Sequence, residues 1–171
     1  MLTDSEIAAL LLEPKTLPNN WKGRLKPRQK EQAQHGERSL DIPRPDGGKF
    51  RIIVRQNYLN VFDFSMILVF CAKDGKEYRL RRFNGRHPSG HTNRYEKKFG
   101  GQPVYFRNVF HIHTATERYQ SVNLEIDGFA EPTASYVDLK SAQEAFIAEH
   151  NFVEDAVGYS DPGLFDAETL E

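Results

Sequence analysis

The chain has 171 residues, a mass of 19.7 kDa, 39% hydrophobic residues and a formal net charge of −1. A chain of this length can bury about two-thirds of the surface that its unfolded form exposes, so a single domain over residues 1–171 is expected. No apolar run approaches the roughly 20 residues of a membrane-spanning helix, and the acidic N-terminus lacks the basic segment of a secretory signal. Together with a single cysteine, Cys71, these features predict a cytoplasmic protein without disulfides and without a membrane segment.

Charge is distributed unevenly along the chain. Residues 15–58 hold 11 basic and 4 acidic side chains, and residues 59–119 hold 11 and 5, giving net charges of +7 and +6. Residues 120–171 hold one basic and 12 acidic side chains, a net charge of −11. Such asymmetry fits a phosphate-binding body with an acidic end that shields it, or two parts that neutralise each other in the fold.

The N-terminal part is predicted to hold one helix and a basic connection. Thr3 and Glu6 have the spacing of a capping box, and apolar residues then recur on one helical face until Pro14. Residues 17–37 mix Lys and Arg with Pro, Asn and Gly and lack apolar periodicity. This composition predicts a basic loop or arm.

From residue 38 the pattern is typical of strands. Residues 38–42 and 50–55 flank a Pro-Asp-Gly-Gly turn and alternate apolar with polar side chains, whereas residues 62–70 are apolar on both faces, as in a central strand. Asp74-Gly75 predicts a two-residue hairpin turn, after which residues 78–83 form the returning strand. The pattern predicts an antiparallel meander.

The C-terminal half is predicted to contain a long loop, a strand, a helix and an acidic tail. Residues 84–101 are rich in Gly, Pro, His and Arg, which favours a loop, and residues 104–114 favour one continuous strand. Asp138 is predicted to cap a helix over residues 139–150, and an acidic tail follows from 153 to 171. The expected fold class is α+β, an antiparallel sheet of about five strands with an N-terminal and a C-terminal helix packed on it.

Four of the six histidines lie within 27 residues, and they are His87, His91, His111 and His113. On an extended strand, His111 and His113 point to the same face with their Cβ atoms about 6 to 7 Å apart. The same face of the predicted strand carries Tyr105 and Arg107. The concentration of histidines predicts that the working surface lies between residues 84 and 119.

Acid–base catalysis on RNA is one interpretation of this cluster. A neutral imidazole would remove the 2′-hydroxyl proton, a protonated imidazole would assist the leaving 5′-oxygen, and cationic side chains would hold the phosphate. No metal or other cofactor is needed. The nucleic-acid-binding candidates are Arg82, Arg86, Arg94, Arg107, Arg118, Tyr105 and Tyr119.

Two other interpretations stay open. His111, His113 and Glu117 have the H-x-H-x3-E spacing of cupin motifs, and His87 or His91 could complete the ligand set of a metal ion. Alternatively, the histidines bond to carbonyl groups and to Glu117 and organise the loop without taking part in chemistry.

The motif order also resembles known bacterial families. Residues 80–87 (LRRFNGRH), 110–113 (FHIH) and 127–132 (DGFAEP) resemble a group of small bacterial proteins whose function is not established, and loosely resemble TumE-type toxins, which helix-turn-helix antitoxins accompany. The resemblance implies a site made of Asn84, His87, His91, His111 and His113.

The sequence thus predicts a toxin-like, metal-independent endoribonuclease or RNA-binding protein. Its expected partners are RNA and an antitoxin or other protein. The first alternative is a non-enzymatic RNA- or protein-binding module of a phage defence or counter-defence system, and the second is a cupin-like metal-binding protein.

Overall fold

The structure, a computed structural model, describes residues 1–28 and 34–154. Residues 29–33 of the predicted arm and residues 155–171 of the predicted acidic tail lie outside the described residues. The elements in chain order are α1 (Asp4–Leu12), β1 (Lys15–Leu17), α2 (Trp21–Arg24), β2 (His35–Pro43), β3 (Lys49–Asn57), β4 (Phe64–Cys71), β5 (Glu77–Asn84), β6 (His91–Thr92), a 3₁₀ helix (Arg94–Phe99), β7 (Tyr105–Phe106), β8 (His111–Thr114), α3 (Glu117–Gln120), β9 (Phe129–Pro132), α4 (Leu139–Glu149) and β10 (Phe152–Glu154).

The main sheet has six antiparallel strands in the order β2-β3-β4-β5-β8-β9. Each strand pairs with the next one along the chain, except that β6 and β7 leave the sheet between β5 and β8 and pair with each other. Strands β1 and β10 form a separate parallel pair. The predicted α+β class and the antiparallel meander are confirmed, with one strand more than expected.

Two hairpins of the meander use the same kind of turn. The backbone N–H of Arg44 donates to the carbonyl of Gly48, and that of Ala72 donates to the carbonyl of Lys76, so each loop contains three residues. The third loop residue is a glycine with positive φ, 88° at Gly47 and 87° at Gly75. The hairpin predicted at residues 74–75 is therefore correct in position, but a left-handed glycine extends its loop from two residues to three.

Helices α1, α2 and α4 pack on one face of the sheet. The Thr3 hydroxyl accepts from the backbone N–H of Glu6 to complete the predicted capping box of α1, and the Asp138 carboxylate accepts from that of Ser141 to cap α4. Phe146 of α4 is completely buried in the core. Burial of such a side chain contributes roughly 1.5 to 3 kcal/mol to folding. In the described ranges, no helix combines the length and the apolar composition that a membrane crossing requires.

The opposite face of the sheet carries a smaller apolar cluster. Ile67, Val69 and Cys71 are buried there, with Ile53 packed against them. Strand β4 is thus apolar on both faces, as predicted for residues 62–70. The next strand, β5, continues this face with polar side chains, and the histidine cluster lies there.

Regular structure replaces parts of the predicted loops and divides the predicted last strand. Trp21 and Leu25 are buried in the core, so residues 17–28 of the predicted basic segment are held against the core by a helical turn. Residues 84–101 contain β6 and the 3₁₀ helix. The single strand predicted over residues 104–114 is wrong, because Asn108 has a φ of 54° and the chain turns between β7 and β8.

Candidate functional site

The register between strands β5 and β8 brings together the buried half of the site. Arg82 lies opposite His113, and Asn84 lies opposite His111. Side chains at alternate positions of a strand share a face, so these four residues are on the same side of the sheet. Phe83, between Arg82 and Asn84, and Ile112, between the two histidines, face the main core. The alternation of the sequence predicted this position for Ile112.

The two strand histidines are buried and held in one tautomer. Their exposed fractions are 2% for His111 and 3% for His113. Nδ1 of His111 lies 2.9 Å from the carbonyl oxygen of Val109, and Nδ1 of His113 lies 2.9 Å from that of Asp127. A carbonyl oxygen only accepts hydrogen bonds, so each Nδ1 carries the proton.

The side-chain amide of Asn84 joins the two rings. Its nitrogen lies 3.2 Å from Nε2 of His111 and 3.3 Å from Nε2 of His113. With Nδ1 protonated, both Nε2 atoms of the neutral rings are acceptors, and one amide group has two hydrogens to donate. Asn84 is itself only 8% exposed, so this junction lies in the interior.

Burial also determines the charge of the two rings. It lowers the pKa of His111 to about 4 and that of His113 to about 2, where the nearby Arg82 cation also contributes. Both imidazoles are therefore neutral at pH 7. His111 and His113 therefore do not belong to an accessible working surface, because both rings are buried.

A buried ion pair adjoins His113. The carboxylate of Asp127 is completely buried, and its oxygens lie 3.3 Å from Nε of Arg82 and 3.7 Å from Nε of Arg79. Nη2 of Arg82 lies 3.0 Å from Nδ1 of His113. Because that nitrogen donates to the Asp127 carbonyl, the guanidinium contacts the ring without a hydrogen bond to Nδ1. Sequence reasoning did not identify Asp127, since an Asp-Gly pair is usually a turn signal.

The two loop histidines form the accessible half of the site. The ring of His91 lies 4.6 Å from that of His113, and the ring of His87 lies 5.4 Å from that of His111. Both side chains are only partly buried. Desolvation lowers the pKa of His91, although its hydrogen bond to Asn93 acts in the opposite direction. The four imidazoles thus form a continuous cluster that extends from the interior to the surface.

Asn93 and Phe106 support the loop histidines and were not singled out from sequence. The Asn93 amide donates to the carbonyl of Ala130 at 2.6 Å and its oxygen accepts from the N–H of Ala130 at 3.0 Å, so the side chain extends the ladder of β9. The same oxygen accepts from Nε2 of His91 at 2.9 Å. Phe106 packs on His91, with ring centroids 5.4 Å apart. The predicted single strand had placed Phe106 on the other face.

Two glycines allow the loop to approach the sheet closely. A Cβ on Gly85 would lie 1.9 Å from the carbonyl oxygen of Phe62, and a Cβ on Gly90 would lie 2.6 Å from that of Phe106. Gly90 also has a φ of 67°. No side chain fits at either position without moving backbone, so glycine holds His87 and His91 beside the buried pair.

A cleft of about 890 Å³ opens beside His91. Its walls include Arg94 and Tyr95 of the 3₁₀ helix, Tyr119 of α3 and Glu125. Arg94 is exposed, and its guanidinium lies 5.6 Å from the Tyr95 ring. The cleft therefore offers a cation and an aromatic ring next to an imidazole.

Four of the seven predicted nucleic-acid-binding residues have structural contacts. Arg82 belongs to the buried ion pair, Arg118 forms an ion pair with Glu96 at 3.0 Å, and the Tyr119 hydroxyl donates to Glu96 at 3.1 Å. Burial raises the pKa of Tyr119 to about 12. Arg107 is exposed directly after β7, and its Nε donates to the Pro88 carbonyl at 2.6 Å.

The remaining three, Arg86, Arg94 and Tyr105, offer surface for a ligand. The guanidinium of Arg86 lies 4.2 Å above the Phe62 ring, and Arg94 lines the cleft. Tyr105 is 59% exposed on β7. The turn at Asn108 separates Tyr105 and Arg107 from His111 and His113, so the shared face expected for these four residues does not form.

The cupin-like ligand set is not assembled. The Glu117 carboxylate accepts from the backbone N–H of Asp4 at 3.2 Å, and the Asp4 carboxylate accepts from that of Glu117 at 2.8 Å. Glu117 therefore links α3 to α1 and is not bonded to the histidines. Among residues 1–28 and 34–154, no three His, Cys, Asp or Glu side chains converge as ligands for a metal ion.

Comparisons with protein-family models, curated proteins and solved structures give no match to this chain.

Proposed function

We propose that this chain cleaves RNA by general acid–base catalysis, with the two accessible imidazoles, His87 and His91, as the catalytic pair. The observation that carries the proposal is the continuous cluster of four imidazoles, two buried and two at the surface, in which His91 lines the cleft that contains Arg94 and Tyr95. Two imidazoles within reach of one phosphodiester can exchange both protons that transesterification requires. This assignment moves the catalytic pair from β8 to the loop.

His91 is the proposed general base. Its Nε2 is occupied by the hydrogen bond to Asn93, which leaves the lone pair of Nδ1 as the basic position. Its lowered pKa keeps the ring neutral at pH 7 and therefore able to accept a proton. In the proposed step, Nδ1 removes the 2′-hydroxyl proton while the 2′-oxygen forms a bond to phosphorus.

His87 is the proposed general acid. Its Nδ1 lies 2.7 Å from the Ser89 hydroxyl, which leaves Nε2 to deliver a proton. As the bond from phosphorus to the 5′-oxygen breaks, Nε2 protonates that oxygen. The products are a 2′,3′-cyclic phosphate and a 5′-hydroxyl. His91 then releases one proton to water and His87 takes one up from water, so both histidines return to their starting states.

Other side chains of the site would bind and position. Arg94 would stabilise the charge on the phosphate, and Tyr95 would stack on a base. The neutral pair His111 and His113, joined by Asn84, would hold the loop histidines from behind without taking up protons. On the resemblance to TumE-type toxins, we further propose that the chain acts in the cytoplasm as a toxin restrained by an antitoxin.

Cleavage of a fluorescent RNA with a quencher tests the proposal. Changing His87 or His91 to Gln should each lower the cleavage rate by roughly 10² to 10⁴. The exposed His35 on β2 supplies the control, because His35→Gln removes an imidazole remote from the cluster in sequence and should cleave as the wild type does. Wild-type cleavage by the His87→Gln, His91→Gln double variant would reject this catalytic pair, and the absence of any cleavage by wild-type protein would favour a binding module.

A further inference from the structure

A basic cleft lies between α2 and α4. It has a volume of about 450 Å³, and the described residues that line it include three lysines and two glutamines but no acidic side chain. The lysines are Lys22, Lys26 and Lys140, and all three are exposed. Three cations around one concave surface attract polyanions because their potentials add.

The cations of the sheet differ from these lysines. Lys49, Arg51, Arg55 and Arg79 each form an ion pair with a carboxylate. Within the two described ranges, none of the three cleft lysines lies within ion-pair distance of a carboxylate. Much of the positive charge on the sheet is therefore neutralised internally, whereas the three lysines of the cleft face solvent without an ion-pair partner among the described residues.

Strand registration relates this cleft to the histidine cluster. Gln56, which lines the cleft, lies opposite Phe64, and the next residue of β4, Ser65, lies opposite Asn84. Asn84 in turn lies opposite His111. The cleft and the cluster thus occupy the same end of the sheet on strands two to three positions apart, but on opposite faces, because Gln56 shares the face of the main core with Val54.

The loop of residues 58–63 lies between them. It presents the apolar side chains Leu59, Val61 and Phe62, which are 77%, 57% and 38% exposed. The guanidinium of Arg86, one residue before His87, covers the Phe62 ring at 4.2 Å. An aromatic ring paired with a guanidinium is a surface on which nucleic-acid bases stack.

We propose that the lysine cleft binds phosphates of a single-stranded RNA that passes from the histidine cluster over the end of the sheet. The identity of the polymer rests on the proposed function. A chain of unpaired nucleotides can turn over this end and stack a base on the Phe62–Arg86 pair, whereas a duplex keeps its bases inside. The lysine cleft is thus an extended binding site for the flanking nucleotides of the substrate.

Binding of a fluorescent 12-nucleotide 2′-O-methyl RNA tests the proposal, because a methylated 2′-oxygen cannot attack and binding is measured without cleavage. The test variant is Lys22→Gln, Lys26→Gln, Lys140→Gln. The control is Lys49→Gln, Lys73→Gln, Lys76→Gln, which removes the same charge at the opposite end of the sheet. Loss of three phosphate contacts should lower affinity about tenfold or more at 0.1 M salt and reduce the slope of log K against log salt by about 2.

The control variant should bind as the wild type does, and the test variant should retain the wild-type kcat/KM on a dinucleotide substrate. The dinucleotide reaction reports on the histidines alone, so its failure counts against the proposed function while the binding result still decides the role of the cleft. Wild-type affinity and salt slope in the test variant would overturn the proposal. So would selective loss of binding to polyglutamate with RNA binding intact, which would identify an acidic protein as the ligand.

Discussion

The carboxylate of Asp127 is completely buried and lies 3.3 Å from Nε of Arg82. Removing one partner from a buried pair leaves an uncompensated charge, which costs more than the loss of a surface ion pair. Arg82 also contacts His113, so the pair joins the turn before β9 to the interior of the histidine cluster.

Replacing Asp127 by Asn should destabilise the protein. We expect a loss of about 2 to 4 kcal/mol in the free energy of unfolding, somewhat below a fully buried pair because Arg82 retains contact with water. Urea denaturation measures the change. Glu125→Gln is the matched control, since its pairing with Arg79 at the surface should contribute less than about 1 kcal/mol. Equal stability of the two variants would show that the buried carboxylate contributes little.

Stability should fall as the pH falls from 7 to 5. The unfolded chain binds protons at its histidines near pH 6.5, whereas folding lowers the pKa of His111 to about 4 and of His113 to about 2. In this window only the unfolded state takes up these protons, so each buried histidine costs about 2 kcal/mol between pH 7 and pH 5.

Denaturation at the two pH values checks this dependence. His113→Gln should reduce the difference by the contribution of one histidine, whereas the exposed His35→Gln should retain all of it. A folded state equally stable at pH 5 and pH 7 would mean that these imidazoles accept protons without unfolding.

Asn84→Asp should change the protonation of the buried pair. The Asn84 amide donates to Nε2 of both rings, whereas a carboxylate at that position can only accept. We therefore expect the variant to raise the pKa of His111 and His113. The wild type should show ¹⁵N shifts of an Nδ1–H tautomer for both rings at pH 7, and the variant should show a shift towards imidazolium. Unchanged spectra would contradict the assigned hydrogen bonds.

Gly85→Ala should destabilise the protein and slow cleavage together. Its Cβ would lie 1.9 Å from the Phe62 carbonyl, so backbone has to move next to His87. We expect a cost of about 1 to 3 kcal/mol, as for overpacking elsewhere. Gly23→Ala is the control, because a Cβ there meets no atom within 4 Å and should be neutral or mildly stabilising. Calorimetry and the fluorescent RNA assay measure both effects.

Cleavage should not depend on a metal ion. The proposed protons move between imidazoles and substrate, so dialysis against a chelator should leave the rate unchanged, and untagged protein should contain less than one equivalent of zinc, nickel or iron. A rate that disappears with the chelator and returns with one metal would instead support the metal-binding alternative.

Local patterns in the sequence were sufficient for the architecture. Thr3 with Glu6, and Asp138, marked the starts of the two helices that pack on the sheet, because capping depends on side chains within one turn of the backbone. Alternation of apolar side chains identified β3 and the doubly buried β4. The turn at Asn108 was missed, because two short strands with a break have the same alternation as one longer strand.

The clustering of the histidines was also evident from the sequence, but their chemical states were not. That His111 and His113 are neutral depends on burial and on Asn84, which lies 27 residues away from His111. The burial of Asp127 likewise depends on distant segments, and the bond between Asn93 and Ala130 joins residues 37 positions apart. The sequence was enough to predict the meander and its two capped helices, because those depend on local patterns. Which imidazoles contact water depends instead on how distant segments pack, because desolvation is a property of all the surrounding segments together.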